Sequence, residues 1–81
     1  MKLKQIEQIE GYRFTLTFES GEVIQTDLKD LISSFVAEDA LQTARIDPDW
    51  ACLEFNQGFA DIEPKTLYRY ACEASHHQQA A

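Results

Sequence analysis

The segment YRFTLTF, residues 12–18, alternates large apolar and polar side chains without a break. Strict alternation with aromatic and β-branched residues predicts a β-strand that buries one face and leaves the other partly wet. A chain with such a strand must also supply neighbouring strands and a core against which the apolar face can pack. The predicted buried face carries Tyr12, Phe14, Leu16 and Phe18, and the predicted wet face of the sheet carries Arg13, Thr15, Thr17 and Thr26.

A turn signal follows this strand directly. Glycine adopts the positive φ that tight hairpin turns require, so Ser20-Gly21 predicts a two-residue turn into a second strand, EVIQTD. A turn of this length pairs Phe18 with Val23 and Thr17 with Ile24. The turn length therefore decides which side chains of the second strand face the core.

The remaining segments predict further strands and two helical regions. Residues 1–9 are typical of a first strand with an irregularity near Gln5 or Glu7, because their apolar residues are spaced by three. Asp27 predicts the cap of a helical segment, and Pro64 predicts the first residue of a later helix. Two or three short strands lie between these helices. The predicted fold class is α+β, with an antiparallel sheet in the order β-β-β-α-β-β-α covered on one face by helices.

The length of the chain, 81 residues, predicts one domain. We assign residues 1–74 to a single α+β domain and residues 75–81 to a mobile C-terminal tail, because the tail is polar and has no apolar pattern. A domain of this size buries only about 60–65% of the surface that its unfolded chain exposes, so association with a partner would add to its stability.

The charge balance bears on the kind of partner. The chain has 14 acidic and 7 basic residues, a net charge of −7, and its basic residues form no stripe. Affinity for nucleic acids depends on lysine and arginine neutralising phosphates, so we expect no direct binding of nucleic acid. An acidic surface favours a basic protein partner or self-association, including a homodimer. We expect no membrane association and a cytoplasmic location with both cysteines free.

The sequence offers no convincing set of catalytic, cofactor-binding or metal-ligating residues. Its two histidines, His76 and His77, fall in the predicted tail, where a catalytic base would lack a fixed geometry. A zinc site that combines them with Cys72 and Glu73 has no second ligand pair elsewhere in the chain. The balance is therefore against an enzyme, and we predict no catalytic residue, cofactor or bound metal.

Two pairs of carboxylates leave one catalytic alternative open. Asp47 and Asp49 flank a proline, and Asp61 and Glu63 flank an isoleucine. Acids two residues apart can hold a divalent cation and support metal-dependent hydrolysis. Acids at turn ends and helix starts more often cap backbone N–H groups, and both pairs lie where that role is expected.

Aromatic residues in the second half of the chain have two interpretations. Trp50 and the tyrosines can complete the core of so small a domain, which we favour, or they can form an exposed binding face. The turn after Phe55 is the other place where a contact is expected. The residues predicted for a contact site are Trp50, Asn56, Gly58, Phe59, Asp61 and Tyr68.

Three motifs in order carry a resemblance to a known family. They are Phe18 with Ser20-Gly21, then Asp27-Leu28, then the stretch FNQGFADIEPKTLY. With this pattern over residues 3–70, the chain resembles a bacterial family of domains of unknown function, number 2442. Residues that match the family motif are Gly58, Asp61, Ile62, Pro64, Leu67 and Tyr68, whereas Phe55, Gln57 and Lys65 depart from it. The resemblance implies an α+β fold and no established activity, and some relatives resemble partners in toxin–antitoxin pairs.

Three functional hypotheses follow from these observations. The first is a non-catalytic protein-interaction or regulatory module, an antitoxin-like partner of a small basic protein. The second is a small-molecule-binding domain that uses the aromatic region around Trp50 and Tyr68, which requires a concave pocket. The third and weakest is the metal-dependent hydrolase, which requires that the four carboxylates converge.

Overall fold

Two antiparallel sheets and two α-helices form the α+β fold. The computed structural model describes residues 1–80, and it describes side chains as far as residue 73. The elements in chain order are β1 (Leu3–Glu10), β2 (Arg13–Phe18), β3 (Val23–Asp27), α1 (Lys29–Ile32), a 3₁₀ helix (Glu38–Thr43), β4 (Arg45–Ile46), β5 (Leu53–Phe55), a helical turn (Asn56–Gly58), β6 (Ala60–Ile62) and α2 (Pro64–Ala80).

The strands are divided between two sheets rather than joined in one. The first sheet has the order β1-β2-β3 and the second has the order β4-β5-β6. The α+β class predicted from the sequence is confirmed, but the single sheet is replaced by two, because the helical segment after β3 separates the halves and the later strands are only two or three residues long. Leu3 N in β1 donates to Ala51 O, in the turn between β4 and β5, at 3.4 Å, which links the first sheet to the second half of the chain.

One core lies between the sheets and the helices. The rings of Phe14 in β2 and Phe55 in β5 pack edge to face, with centroids 6.2 Å apart, and this contact joins the two sheets. Helix α2 contacts β3, and the hydroxyl of its Tyr70 donates to Asp27 O at 3.0 Å. That helices cover one face of the sheet remains a prediction. The buried apolar residues are Leu3, Phe14, Leu16, Phe18, Leu28, Ile32, Val36, Ala40, Leu41, Leu53, Phe55, Ile62, Leu67 and Ala71.

The β2–β3 hairpin has a longer turn than the sequence predicted. Gly21 N donates to Phe18 O at 2.8 Å and Phe18 N donates to Glu22 O at 2.9 Å, and Gly21 has a φ of 95°. These bonds define a three-residue loop with the glycine in a bulge. The predicted pairing of Phe18 with Val23 is therefore wrong by one residue, and Thr17 pairs with Val23 instead.

This shift exchanges the two faces of β3. Leu16 lies opposite Ile24 and Phe14 lies opposite Thr26, so Thr26 is buried, whereas Val23 is 58% exposed. The prediction that Thr26 belongs to the wet face is wrong for the same reason. A slip of one residue moves every side chain of a strand to the other face.

The irregularity predicted in β1 is present. Leu3 pairs with Phe18 and Gln5 pairs with Thr17, so one residue between them is left out of the pairing. This bulge keeps Leu3 on the core side and brings Ile6 opposite Leu16, which explains the spacing of three between these apolar residues. A second shift in register precedes Glu10.

The two helix starts lie close to their predicted positions. The N-cap of α1 is Leu28 rather than the predicted Asp27, although Lys29 N donates to Asp27 Oδ1 at 2.9 Å, so Asp27 still accepts one of the free N–H groups at the start of α1. Helix α2 begins at Pro64, as predicted. The predicted tail, residues 75–81, overlaps the end of α2; its mobility remains a prediction, and Ala81 and the side chains of His76 and His77 lie outside what the structure describes.

Candidate functional site

The turn between β4 and β5 is built around the side chain of Asp47. Its Oδ1 accepts the N–H of Asp49 at 3.3 Å and its Oδ2 accepts the N–H of Trp50 at 3.2 Å. The backbone closes the turn, because Ala51 N donates to Asp47 O at 2.8 Å and Asp47 N donates to Cys52 O at 2.9 Å. Ala51 has a φ of 57°, a conformation that costs a non-glycine residue free energy.

This turn holds Trp50 in solvent. The side chain of Trp50 is 76% exposed, although tryptophan is highly buried on average in folded proteins. The interpretation that Trp50 completes the core is therefore wrong. Two backbone bonds and two bonds to Asp47 hold the turn, so the exposed indole sits on an ordered support.

A cleft of about 480 Å³ lies beside the exposed indole. We call it the Trp50 cleft, and its lining residues are Trp50, Cys52, Asp61, Glu63 and Pro64. The cleft brings together three parts of the chain. Trp50 and Cys52 come from the β4–β5 connection, Asp61 comes from β6, and Glu63 and Pro64 lie at the start of α2. The sequence predicted Trp50 and Asp61 as contact residues and considered Glu63 only as a metal ligand or cap, whereas Cys52 and Pro64 carried no signal of a site.

The register of the second sheet explains the acidic character of the Trp50 cleft. Leu53 pairs with Ile62 on the core face, and Glu54 pairs with Asp61 one residue further along. Because side chains alternate between faces, Glu54 and Asp61 share the outer face of the sheet. Two carboxylates directly opposite each other repel, which destabilises the pair unless a cation intervenes.

Arg45 neutralises one of these two carboxylates. Arg45 lies opposite Glu54 in the β4–β5 pair, and its Nε donates to Glu54 Oε1 in an ion pair. Glu54 is buried, with a residue exposure of 6%, so the arginine removes the cost of an isolated buried charge. Asp61 and Glu63 are exposed, and none of the residues that line the Trp50 cleft is basic.

The acidic surroundings affect the ionisation of the Cys52 thiol. Its pKa is raised first by partial burial, and then by the negative charges of nearby carboxylates. The contributing carboxylates are those of Asp61, Asp47, Glu63 and Glu54. The negative field that these groups create reaches the inside of the Trp50 cleft, and a thiol with a raised pKa is a poor nucleophile at neutral pH.

A second ordered turn projects Phe59 from the other end of β5. Asn56, Gln57 and Gly58 have φ angles of 53°, 58° and 97°, so three successive residues are left-handed. Asn56 N donates to Thr43 Oγ1 at 2.8 Å, which fixes the turn to the 3₁₀ helix. Phe59 is 94% exposed. Strained backbone of this kind persists only where the surrounding structure maintains it, and it is enriched at ligand and partner sites.

Tyr68 has a structural contact rather than a place in the Trp50 cleft. Its ring packs edge to face on Phe18, with centroids 5.2 Å apart, and its hydroxyl donates to Glu22 Oε1 at 2.9 Å. The hydrogen bond to Glu22, followed by one to Cys72, raises the pKa of Tyr68 to about 12. Tyr68 therefore attaches α2 to the β2–β3 hairpin.

The six predicted contact residues thus fall in three places. Trp50 and Asp61 meet in the cleft, Asn56, Gly58 and Phe59 form the β5–β6 turn, and Tyr68 lies against the first sheet. Their role in binding remains a prediction. Within the part of the chain that the structure describes, no three His, Cys, Asp or Glu side chains lie close enough to hold a metal ion. Among those same residues, no helix is long and apolar enough to cross a membrane.

Comparison with known protein families places this chain in one of them. A family model described as "Protein of unknown function (DUF2442)" matches residues 3–73, which confirms the resemblance inferred from the sequence. No curated protein and no solved structure matches the chain.

Proposed function

We propose that this chain, which belongs to the DUF2442 family, is a non-catalytic protein-interaction or regulatory module that binds its partner through the second sheet. One observation carries the proposal: Trp50 and Phe59, 76% and 94% exposed, project from ordered turns at the two ends of β5. Single exposed apolar residues are common, but a tryptophan and a phenylalanine exposed on the two turns that flank one three-residue strand suit a contact surface.

Aromatic side chains on ordered turns suit a binding surface. Tryptophan is enriched among the residues that contribute most to protein–protein affinity. A side chain whose support is already fixed loses less conformational entropy on binding than one on a mobile loop. The bonds from Asp47 to the Trp50 turn and from Thr43 to the Phe59 turn provide that fixed support.

The charge of the surface indicates the kind of partner. With a net charge of −7, the chain attracts a basic protein over distance and repels nucleic acid. We therefore propose an antitoxin-like role beside a small basic protein. The two cysteines are free thiols, which supports a cytoplasmic location.

The experiment uses the product of the neighbouring gene as the partner. The two proteins are co-expressed, the complex is purified, and its affinity is measured by isothermal titration calorimetry. We expect Trp50→Ala and Phe59→Ala each to weaken binding about tenfold or more, which corresponds to about 1.4 kcal/mol.

A matched control separates a specific contact from a general loss of apolar surface. Phe35 is also exposed, at 54%, but it follows α1 and lies outside the second sheet. Phe35→Ala should leave the affinity unchanged. Equal losses for all three variants, or no complex with the neighbouring product, would count against the proposal.

Self-association is the alternative use of the same surface. An 81-residue domain gains stability by burying more area, and two copies related by a twofold axis can cover each other's aromatic residues. Sedimentation equilibrium distinguishes the cases: a dimer of the isolated chain that Phe59→Ala dissociates would identify a homodimer, and a monomer would leave the surface for another protein.

The Trp50 cleft also favours a second function, the binding of a small molecule. Its volume of about 480 Å³ falls within the range of roughly 300–1,000 Å³ typical of ligand pockets. Saturable changes in Trp50 emission with small metabolites would support this function. Metal-dependent hydrolysis is the weakest alternative, because it requires Asp47, Asp49, Asp61 and Glu63 to converge, and no three such side chains among the described residues lie close enough to hold a metal ion. If divalent cations raised the melting temperature, this alternative would be reopened.

A further inference from the structure

We infer that the Trp50 cleft receives an arginine side chain of the partner protein, with the guanidinium stacked on the indole and paired with the carboxylates of Asp61 and Glu63. This inference rests on the proposed function, because it specifies how the second sheet recognises a basic partner. It names the chemical group that the second sheet recognises, a guanidinium, and the place where that group binds, the Trp50 cleft.

The shape of the cleft admits such a group. The cleft has a volume of about 480 Å³, and both Trp50 and the start of α2 contribute to its lining. A guanidinium with its alkyl stem is much smaller than a drug-sized ligand, so it fits without any rearrangement of the backbone. Pro64 is largely buried but is among the residues that line the cleft, so part of the lining that the stem meets is apolar.

The aromatic wall selects a cation. Trp50 is 76% exposed and lines the cleft, so its ring is accessible to a ligand. Tryptophan is the aromatic side chain that attracts cations most strongly over its face, and the attraction grows as the pair loses water. A planar guanidinium can stack on the ring, which a compact ammonium cannot.

The carboxylates select a cation as well, and none of the side chains that the structure describes supplies one. Among the residues with described side chains, the ion pair found is Arg45 with Glu54, so Asp61 and Glu63 have no cationic partner there. Both carboxylates line the cleft that the indole lines. The raised pKa of the Cys52 thiol, caused partly by these charges, is consistent with a negative potential inside.

The combination favours arginine over lysine. A guanidinium can donate two parallel hydrogen bonds to one carboxylate and still present its flat face to an aromatic ring. An ammonium group holds more water and offers no flat face, so it gains less from the indole. We therefore expect the cleft to distinguish the two side chains at equal charge.

The test uses the fluorescence of Trp50, which is the only tryptophan in the chain. The full chain is titrated at low salt with three acetylated and amidated tripeptides, Gly-Arg-Gly, Gly-Lys-Gly and Gly-citrulline-Gly. Citrulline has nearly the shape of arginine without its charge. We expect a saturable change in emission with the arginine peptide, a severalfold weaker affinity for the lysine peptide, and no saturable change with the citrulline peptide.

Two double variants test which carboxylates contribute to the affinity for the arginine peptide. Asp61→Asn with Glu63→Gln removes two charges from the cleft, and Glu38→Gln with Asp39→Asn removes two exposed charges from the 3₁₀ helix. The cleft variant should lower the affinity for the arginine peptide at least tenfold, and the control variant should change it less than twofold. Both variants alter only exposed side chains, and circular dichroism checks that each is folded.

Each result decides the inference. No saturable change with the arginine peptide, an equal change with citrulline, or an equal loss in both double variants would overturn it. If the neighbouring gene product binds and loses affinity in Trp50→Ala but not in the cleft variant, the interaction module stands and the arginine site is wrong. If the peptide results are as expected but no protein binds, the arginine site stands and the proposed function fails.

Discussion

The two sheets of this small domain differ in what gives them their shape. The first has strands of eight, six and five residues, and an alternating pattern places its apolar side chains in the core. The second has strands of two, three and three residues, and its turns determine its shape. All three non-glycine residues with positive φ in the described chain, Ala51, Asn56 and Gln57, lie in those turns. The difference teaches that the region with the weakest strand pattern is the region that presents the two most exposed aromatic residues, Trp50 and Phe59.

Removal of one phenylalanine from each environment is the strongest test of this comparison. Phe14 is fully buried and contacts Phe55 across the two sheets, whereas Phe59 is 94% exposed. Phe14→Ala should lower the free energy of unfolding by about 3–5 kcal/mol, and Phe59→Ala should change it by less than about 0.5 kcal/mol. Urea denaturation followed by circular dichroism measures both. Similar losses for the two variants would contradict the assignment of Phe59 to binding rather than folding.

The ion pair of the second sheet should give the next largest effect. Arg45→Ala leaves the carboxylate of Glu54, a buried residue, without its cation, beside Asp61 on the next strand. We expect a loss of about 2 kcal/mol, because a charge left unpaired in a buried position costs more than a surface pair contributes.

A double variant distinguishes two causes of this loss of stability: the unpaired buried charge and the missing arginine side chain. Arg45→Ala combined with Glu54→Gln should recover much of the stability, since the neutral amide no longer requires a cation. If the double variant is as unstable as the single variant, the effect comes from the packing of the arginine stem and not from its charge.

In the first sheet, a substitution should increase stability. Thr26 is buried, and its Oγ1 has no hydrogen-bond partner among the residues up to 73 whose side chains the structure describes. Thr26→Val keeps the shape and removes the unpaired hydroxyl, so we expect a gain of about 1 kcal/mol in the free energy of unfolding. Thr15→Val, on the half-exposed face of β2, should change stability by less than about 0.5 kcal/mol. A loss at Thr26 would mean that a water molecule satisfies the hydroxyl.

The smallest expected change in the free energy of unfolding comes from the left-handed turn of the second sheet. Gln57 has a φ of 58°, which glycine adopts more readily than glutamine does. Gln57→Gly should therefore raise the free energy of unfolding by about 0.5 kcal/mol. The same change in a regular strand, Gln25→Gly in β3, should lower it by about 0.5–1 kcal/mol. Thermal unfolding by calorimetry compares the two, and equal signs would show that the turn is not strained.

The same contrast explains which predictions from the sequence succeeded. The α+β class, the strand of residues 12–18 and the helix that begins at Pro64 depend on local patterns, and local patterns are visible in a sequence. The pairing of β3 depended on whether the glycine turn had two or three residues. Because Gly21 satisfies either turn, the sequence did not decide between them, and the predicted face of Thr26 was wrong.

The candidate site was harder to predict because its parts are far apart in the sequence. Trp50 was favoured for the core from the average behaviour of tryptophan, although it was also named as a contact residue, and the bonds to Asp47 hold the turn on which it is exposed. The meeting of Cys52 with Glu63 depends on the register between β5 and β6, which three-residue strands do not reveal. Tyr68 was grouped with Trp50 although it contacts Phe18.

The two register shifts of β1 have a consequence for behaviour at high concentration. An eight-residue strand at the edge of a sheet is a template on which identical chains can stack into ribbons. The shifts interrupt the even row of free N–H and C=O groups, and exposed charges at Lys4, Glu7 and Glu10 add repulsion and hydration along it. A domain that exposes the rings of Trp50 and Phe59 to water can thus remain dispersed at high concentration, because its longest edge does not extend a contact into a fibre.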